Sequence, residues 1–141
     1  MSYTKIWVHC VWTTKYREPL LIKNVREKMF THIKENAANK GIYIDIVNGY
    51  TDHVHCLISL KRKQNIADCL QLIKGESSFW INNNKLLNKK FKWQDDYFAV
   101  SVSQSQVDQL RDYISNQEKH HQKKSFDDEY KEFMNKYGFE N

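Results

Sequence analysis

Thr51-Asp52-His53-Val54-His55-Cys56-Leu57-Ile58-Ser59-Leu60 sets the architecture of this chain. From His53 to Leu60 the apolar run reads as a strand. Its pleat sends Val54, Cys56 and Ile58 to one face and the imidazoles of His53 and His55, at i and i+2, to the other. Residues 42–48 form the strand before it, and Gly49 begins a connection short enough for a hairpin. Working outward, residues 3–14 are β-branched and aromatic, with Ile6, Val8, Cys10 and Trp12 on one face. Tyr16-Arg17-Glu18-Pro19 breaks that strand. Val25, Met29, Ile33 and Ala37 then recur every four residues, an amphipathic helix closed by Gly41.

Beyond the hairpin, Asn65 is a good N-cap for a helix striped by Ile66, Cys69, Leu70, Ile73 and Ser77, running on to Trp80 and ended by Asn82-Asn83-Asn84. Residues 85–94 make a basic, aromatic-bearing loop, and residues 97–103 alternate as a fourth strand. A third helix starts at Ser105 or Gln106, passes through Val107, Leu110, Ile114 and Glu118, and ends near Lys124. A last helix spans 126–139, with Phe126, Tyr130, Phe133 and Tyr137 as its apolar side. The order predicts an α+β fold of the ferredoxin-like, split βαβ type: a four-stranded antiparallel sheet with two helices on one face. The first and third strands are then central, and the third helix is surplus. It is free to cover the open face or to reach a second subunit. We read one domain over 1–141, divided into a core (1–104), a tyrosine-bearing helix (105–124) and a C-terminal helix and tail (125–141).

Composition narrows the function. With 141 residues, a net charge of +5 and only one proline and four glycines, the chain has room for one core and no flexible linker. Its basic balance favours a polyanionic partner. Cys10, Cys56 and Cys69 are odd in number and form no CxxC pair, so they read as buried thiols in a reducing compartment. The start does not read as a signal peptide, and no apolar run approaches the ~20 residues of a membrane span. A cytoplasmic location is expected. No GxSxG motif and no phosphate-cradling glycine loop occurs.

The chemistry-bearing residues are the His53/His55 pair and Tyr113-Ile114-Ser115-Asn116-Gln117. Four residues apart on a helix, Tyr113 and Gln117 place a phenol beside a carboxamide. On the helical wheel Val107, Leu110, Ile114 and His121 lean apolar, while Tyr113, Gln117, His120 and Lys124 share a neighbouring polar face, so an exposed phenol is expected. A phosphodiester repels nucleophiles by its own charge. A divalent cation on a non-bridging oxygen withdraws that charge, and a tyrosine nucleophile stores the bond energy as a phosphotyrosine. Two imidazoles and an amide oxygen suit such a cation. Asp52 is either an acceptor that orients an imidazole or an ordinary turn residue. A structural zinc is disfavoured because Cys56 points away from His55 in a strand. Basic groups cluster as Lys15 and Arg17; Lys61, Arg62 and Lys63; Lys85, Lys89, Lys90 and Lys92; and Lys119, Lys123 and Lys124. Phe91 and Trp93 interleave with the third cluster as base-stacking residues would, or else lie in a solvated loop. Arg17 beside Tyr16 suits a fixed phosphate contact.

Several segments in this order resemble the single-tyrosine HUH transposases of bacterial insertion sequences, where HUH denotes His, bulky hydrophobe, His. They are Val11-Trp12-Thr13-Thr14-Lys15-Tyr16-Arg17, Asp52-His53-Val54-His55-Cys56-Leu57-Ile58 and Lys74-Gly75-Glu76-Ser77-Ser78. Trp93-Gln94-Asp95-Asp96-Tyr97-Phe98-Ala99-Val100-Ser101-Val102 and Tyr113 to His121 follow, then Ser125-Phe126 with Glu129-Tyr130. The resemblance covers nearly the whole chain. It implies a homodimer that cuts and rejoins single-stranded DNA at hairpin-bearing element ends. His53, His55 and Gln117 would bind Mg²⁺ or Mn²⁺, and Tyr113 would attack to leave a 5′-phosphotyrosine. The tyrosine helix of one subunit would serve the histidines of the other. Lys15, Arg17, Lys61, Arg62, Lys90, Lys92, His120 and Lys124 are the candidate DNA contacts. Many relatives carry prolines where this chain has Lys61-Arg62-Lys63. Two alternatives stay open at this point. One is a domesticated palindrome-processing relative or replication nickase; the other is a non-catalytic, single-strand RNA-binding sheet.

Overall fold

The computed structural model describes residues 1–138. Strands β1 (Ile6–Thr13), β2 (Tyr43–Gly49), β3 (His53–Leu60) and β4 (Phe98–Val102) form one antiparallel sheet in the order β2-β3-β1-β4. Helices α1 (Lys23–Asn39) and α2 (Ile66–Asn83) supply the two crossovers. This is the split βαβ arrangement, with β1 and β3 central and Val11 opposite His55, Thr13 opposite His53.

Side-chain alternation divides the sheet into two differently filled faces. Val8, Cys10 and Trp12 of β1 and Val54, Cys56 and Ile58 of β3 pack against Met29 and Ile33 of α1 and Leu70 and Ile73 of α2. Burying each of the larger side chains contributes roughly 1.5–3 kcal/mol. All three cysteines are free and buried in this layer. Burial raises the Cys10 and Cys56 thiols above their ordinary range, which makes them packing groups rather than nucleophiles. The other face carries Trp7, His9 and Val11 from β1 with His55 and Leu57 from β3.

The second face is covered by the chain that follows β4. A one-turn helix (Gln104–Gln106) leads into α3 (Val107–Ser115), α4 (Gln117–His121) and α5 (Phe126–Tyr137). Val107 and Ile114 pack on Trp7 and Leu57, while Phe126 and Phe133 pack on Val11. The expected single helix through 124 is therefore two pieces meeting at Asn116. Polar side chains make the break: Asn48 of β2 donates to the Ile114 carbonyl at 2.8 Å, and Asn116 and Ser115 donate back to the Asp112 carbonyl. Ser125 caps α5 and Gly138 ends it in a left-handed conformation, φ 67°. The expected end at residue 139 lies outside the described residues.

Two expectations about side chains are corrected. Phe91 and Trp93 neither stack in solvent nor lie in a solvated loop; both are buried edge-to-face, 4.6 Å between centroids, and Trp93 donates to Ser77 Oγ at 3.0 Å. Aromatic area of this size is more stable inside the α2 layer, so the loop buries its aromatics and turns its lysines outward. On α5 the inward residues are Phe126, Glu129 and Phe133, with Tyr130 and Tyr137 part-exposed. The loop after Trp93 is held by Lys74, whose Nζ donates to the carbonyls of Gln94, Asp95 and Asp96 at 2.8, 3.0 and 3.2 Å. Among the described residues no helix is long and apolar enough to cross a membrane.

Candidate functional site

The N-terminal end of β3 is where the second face becomes polar. His53 and His55 project from it side by side, both 0 % exposed. Each is oriented from behind through its Nδ1. Asp52 Oδ1 accepts from His53 Nδ1 at 2.8 Å, so Asp52 is the orienting acceptor rather than an idle turn residue. His55 Nδ1 lies 2.9 Å from Nε2 of His9, a β1 residue that stacks on it and is itself fully buried. Gly49 keeps the hairpin close at this point, since a Cβ there would run into the His53 carbonyl.

The Nε2 atoms face a ring of groups from the C-terminal half. Gln117 Oε1 is 3.0 Å from His53 Nε2, and Glu129 Oε1 is 3.0 Å from His55 Nε2. His121 Nδ1 donates to the Lys124 carbonyl at 2.7 Å, which turns its Nε2 inward, 3.3 Å from Glu129 Oε1. The Tyr113 hydroxyl donates to Glu129 Oε2, and His120 Nε2 lies 3.2 Å from the same oxygen. The expected meeting of Tyr113 and Gln117 with both histidines thus occurs within one chain. The exposed phenol does not: Tyr113 is half-buried, because α5 lies over it and Glu129 accepts a hydrogen bond from its hydroxyl.

Electrostatics follow from that enclosure. Burial lowers His55 to about 4, outweighing the Glu129 carboxylate that favours its charge. Burial and the neighbouring His55 lower His9 to about 3. Burial alone would raise Glu129, yet the His121 and His55 imidazoles and the Tyr113 hydroxyl hold it well below the carboxylate range. Tyr113 is raised by burial and by the Glu129 carboxylate, so its resting form is the protonated phenol.

The donor set fits a divalent cation. His53, His55, His121 and Glu129 each offer one ligand atom, all within 4.8 Å of one another. With Nδ1 of His53 and of His121 donating elsewhere, a neutral ring presents a bare Nε2 lone pair inward. His53 Nε2 then faces an amide oxygen, and His121 Nε2 has no hydrogen-bond partner among the described residues. Acceptors aimed at acceptors in a buried site call for a positive charge between them.

The candidate DNA contacts divide by position. Thr14 bonds to Asp52 and Lys15 to the Lys92 carbonyl, so Lys15, Arg17, Lys90 and Lys92 lie toward the His53 end of the sheet. Arg17, whose φ of 54° is left-handed, pairs with Asp127 of α5. Lys61 and Arg62 follow the far end of β3, about 26 Å from His53 at the rise of a strand. His120 turns into the site, and Lys124 pairs with Glu132. Three participants escaped the sequence reading. His9 was marked only by its place on the Trp7–Val11 face, Glu129 by lying three residues after Phe126 and four before Phe133, and His121 was assigned to the apolar stripe.

Comparison with known proteins identifies the family. The family profile described as "Transposase IS200 like" matches residues 2–117. The ISDra2 transposase TnpA of Deinococcus radiodurans is 28% identical over 114 residues, 77% of this chain and 81% of that protein. The transposase for insertion sequence element IS200 of Salmonella typhimurium is 24% identical over 115 residues, 77% of this chain and 74% of that protein. Among solved structures, a chain assigned as a transposase from Deinococcus radiodurans R1 superposes with a TM-score of 0.67 at 25% identity, covering 82% of this chain and 93% of that one. A REP-associated tyrosine transposase bound to a REP hairpin superposes with a TM-score of 0.60 at 20% identity, covering 86% of this chain and 72% of that one. On the profile match, which spans most of its length, this chain belongs to the IS200-like transposase family.

Proposed function

We propose that this transposase cuts and rejoins single-stranded DNA at insertion-sequence ends, with Tyr113 as nucleophile. The observation that carries the reading is the convergence of Tyr113, Gln117, His53 and His55 on one buried point. Tyr113 Oη loses its proton to solvent and attacks phosphorus, the Oη–P bond forms, and the P–O3′ bond breaks. The product is a 5′-phosphotyrosine and a 3′-oxygen that takes up a proton. His53, His55 and Gln117 would hold Mg²⁺ or Mn²⁺, which supplies charge withdrawal from the phosphate and stabilises the leaving oxygen. Rejoining is the reverse attack by a 3′-OH on the phosphotyrosine.

The chain's own residues set the conditions for that attack. Asp52 and His9 fix the two rings from behind, so Nε2 of each points to the reaction centre. A resting Tyr113 is a poor nucleophile, because burial and the Glu129 carboxylate beside it disfavour the phenolate. Phe126, Glu129 and Phe133 cover both histidines, so a DNA strand reaches them only when α5 moves aside. A groove of about 520 Å³ between α5 and the β1/β4 side, lined by Arg17, Phe98, Phe126 and Tyr130, marks one approach.

A hairpin-forming partner is supported by the REP-bound structural relative. The same likeness keeps a palindrome-processing role as the second reading. A homodimer belongs to the proposal through the family resemblance. Sharing of the tyrosine helix between subunits stays part of the proposal beside the arrangement within one chain, where Tyr113 lies against His55. The division into a core over 1–104, a tyrosine-bearing helix over 105–124 and a C-terminal segment is likewise proposed.

The test is a covalent-adduct assay. Purified protein with Mn²⁺ and single strands carrying the hairpins from the ends of its own element should give a protein–DNA adduct resistant to denaturant. EDTA and Tyr113→Phe should each abolish it while DNA binding persists. An adduct that survives Tyr113→Phe would refute the assignment.

A further inference from the structure

We infer that Glu129 and His121 are ligands of the same cation as His53 and His55, so that the metal fastens the C-terminal helix α5 over the site. This rests on the metal-dependent reading above and extends it beyond residue 117, where the family match ends.

Three observations carry it. First, spacing: donors about 2.1 Å from a common ion and at right angles to one another lie about 3 Å apart. Glu129 Oε1 is 3.0 Å from His55 Nε2, 3.3 Å from His121 Nε2 and 3.6 Å from His53 Nε2, the separations expected of neighbours in one coordination sphere. Second, an orphan: the His121 side chain is 2 % exposed, its Nδ1 is committed to the Lys124 carbonyl, and its Nε2, which makes no hydrogen bond among the described residues, is aimed into the site. Third, a division of labour on one carboxylate. Oε1 faces the three imidazoles, while Oε2 takes the Tyr113 hydroxyl and lies 3.2 Å from His120. Glu129 is 1 % exposed on a helix face otherwise made of Phe126 and Phe133.

The consequence is mechanical. The carboxylate spans the two contacts a scissile phosphate must make, one to the histidine side and one to Tyr113. A phosphodiester oxygen, carrying like charge, can take the place of Oε1 when α5 swings out, and Glu129 then releases the Tyr113 hydroxyl.

The experiment is calorimetric titration of the full chain with Mn²⁺, paired with hydrogen exchange of the α5 amides. Wild type should bind Mn²⁺ and gain protection in α5. Glu129→Gln, which preserves shape, should weaken binding by at least about tenfold and lose the metal-dependent protection. His121→Asn, which can still donate to the Lys124 carbonyl, should do the same, and it keeps the inference testable if the Gln variant fails to fold. Variants that bind Mn²⁺ as wild type does, or α5 protection indifferent to Mn²⁺, would overturn it. Wild-type protein that binds no Mn²⁺ while binding DNA would instead sink the metal-dependent reading on which it rests.

Discussion

Lowering the pH from 8 to 5 should destabilise the metal-free protein by about 4 kcal/mol through two buried imidazoles, and His120, also lowered by burial, adds to the loss in the same direction. His55 is held at about 4 and His9 at about 3, against an ordinary value near 6.5. Both values are depressed, so between about pH 6.5 and pH 4 the unfolded chain binds protons that the folded chain refuses, and stability falls with pH. At pH 5 each imidazole is about 97% protonated when unfolded and largely neutral when folded, which costs about 2 kcal/mol apiece. Glu129, held below the carboxylate range, adds a loss in the same direction only under about pH 4.5 and leaves this window clear. Urea unfolding in EDTA at pH 8, 6 and 5 measures the effect. His9→Gln should remove about 2 kcal/mol of the loss. A free energy of unfolding that is flat or rises on acidification would refute the reasoning. It would mean that the Glu129 carboxylate, not burial, governs His55.

Two further predictions concern the frame and the DNA path. Lys74→Met removes the cation that three backbone carbonyls of the 94–96 loop share, and should cost about 2 kcal/mol in urea unfolding; an unchanged midpoint would mean that buried Trp93 alone holds the loop. Lys92→Ala should lower the salt dependence of single-strand binding by about 0.7 in log–log slope, whereas Lys61→Ala, beyond the far end of β3, should leave it unaltered. The opposite ranking would place the strand across the other end of the sheet.

Much of this molecule is written in alternation. The His53–Leu60 strand, its hairpin partner and the two crossover helices follow from apolar periodicity, and Asn65 caps α2 as its side chain predicts. His53 and His55 share a face for the same reason. What periodicity could not show is how the surplus chain closes over them. The break at Asn116 depends on Asn48, 68 positions earlier, reaching the last carbonyls of α3. Phe91 and Trp93 look like solvent-side aromatics because their neighbours are lysines, and only packing against Trp12 and Ser77 shows them to be core. Glu129 stands in a segment of the family resemblance, but nothing in its type or spacing assigns it to the site. Its position between Phe126 and Phe133 was the one local sign that it does not face water.

The most direct test of the account maps the covalent adduct. Mn²⁺-dependent reaction with hairpin-bearing single strands, nuclease trimming, proteolysis and tandem mass spectrometry would locate the 5′-linked nucleotide among the chain's eight tyrosines. The account predicts a single modified peptide with the nucleotide on Tyr113. A nucleotide on any other side chain, or hydrolysed ends with no linked peptide, would contradict it.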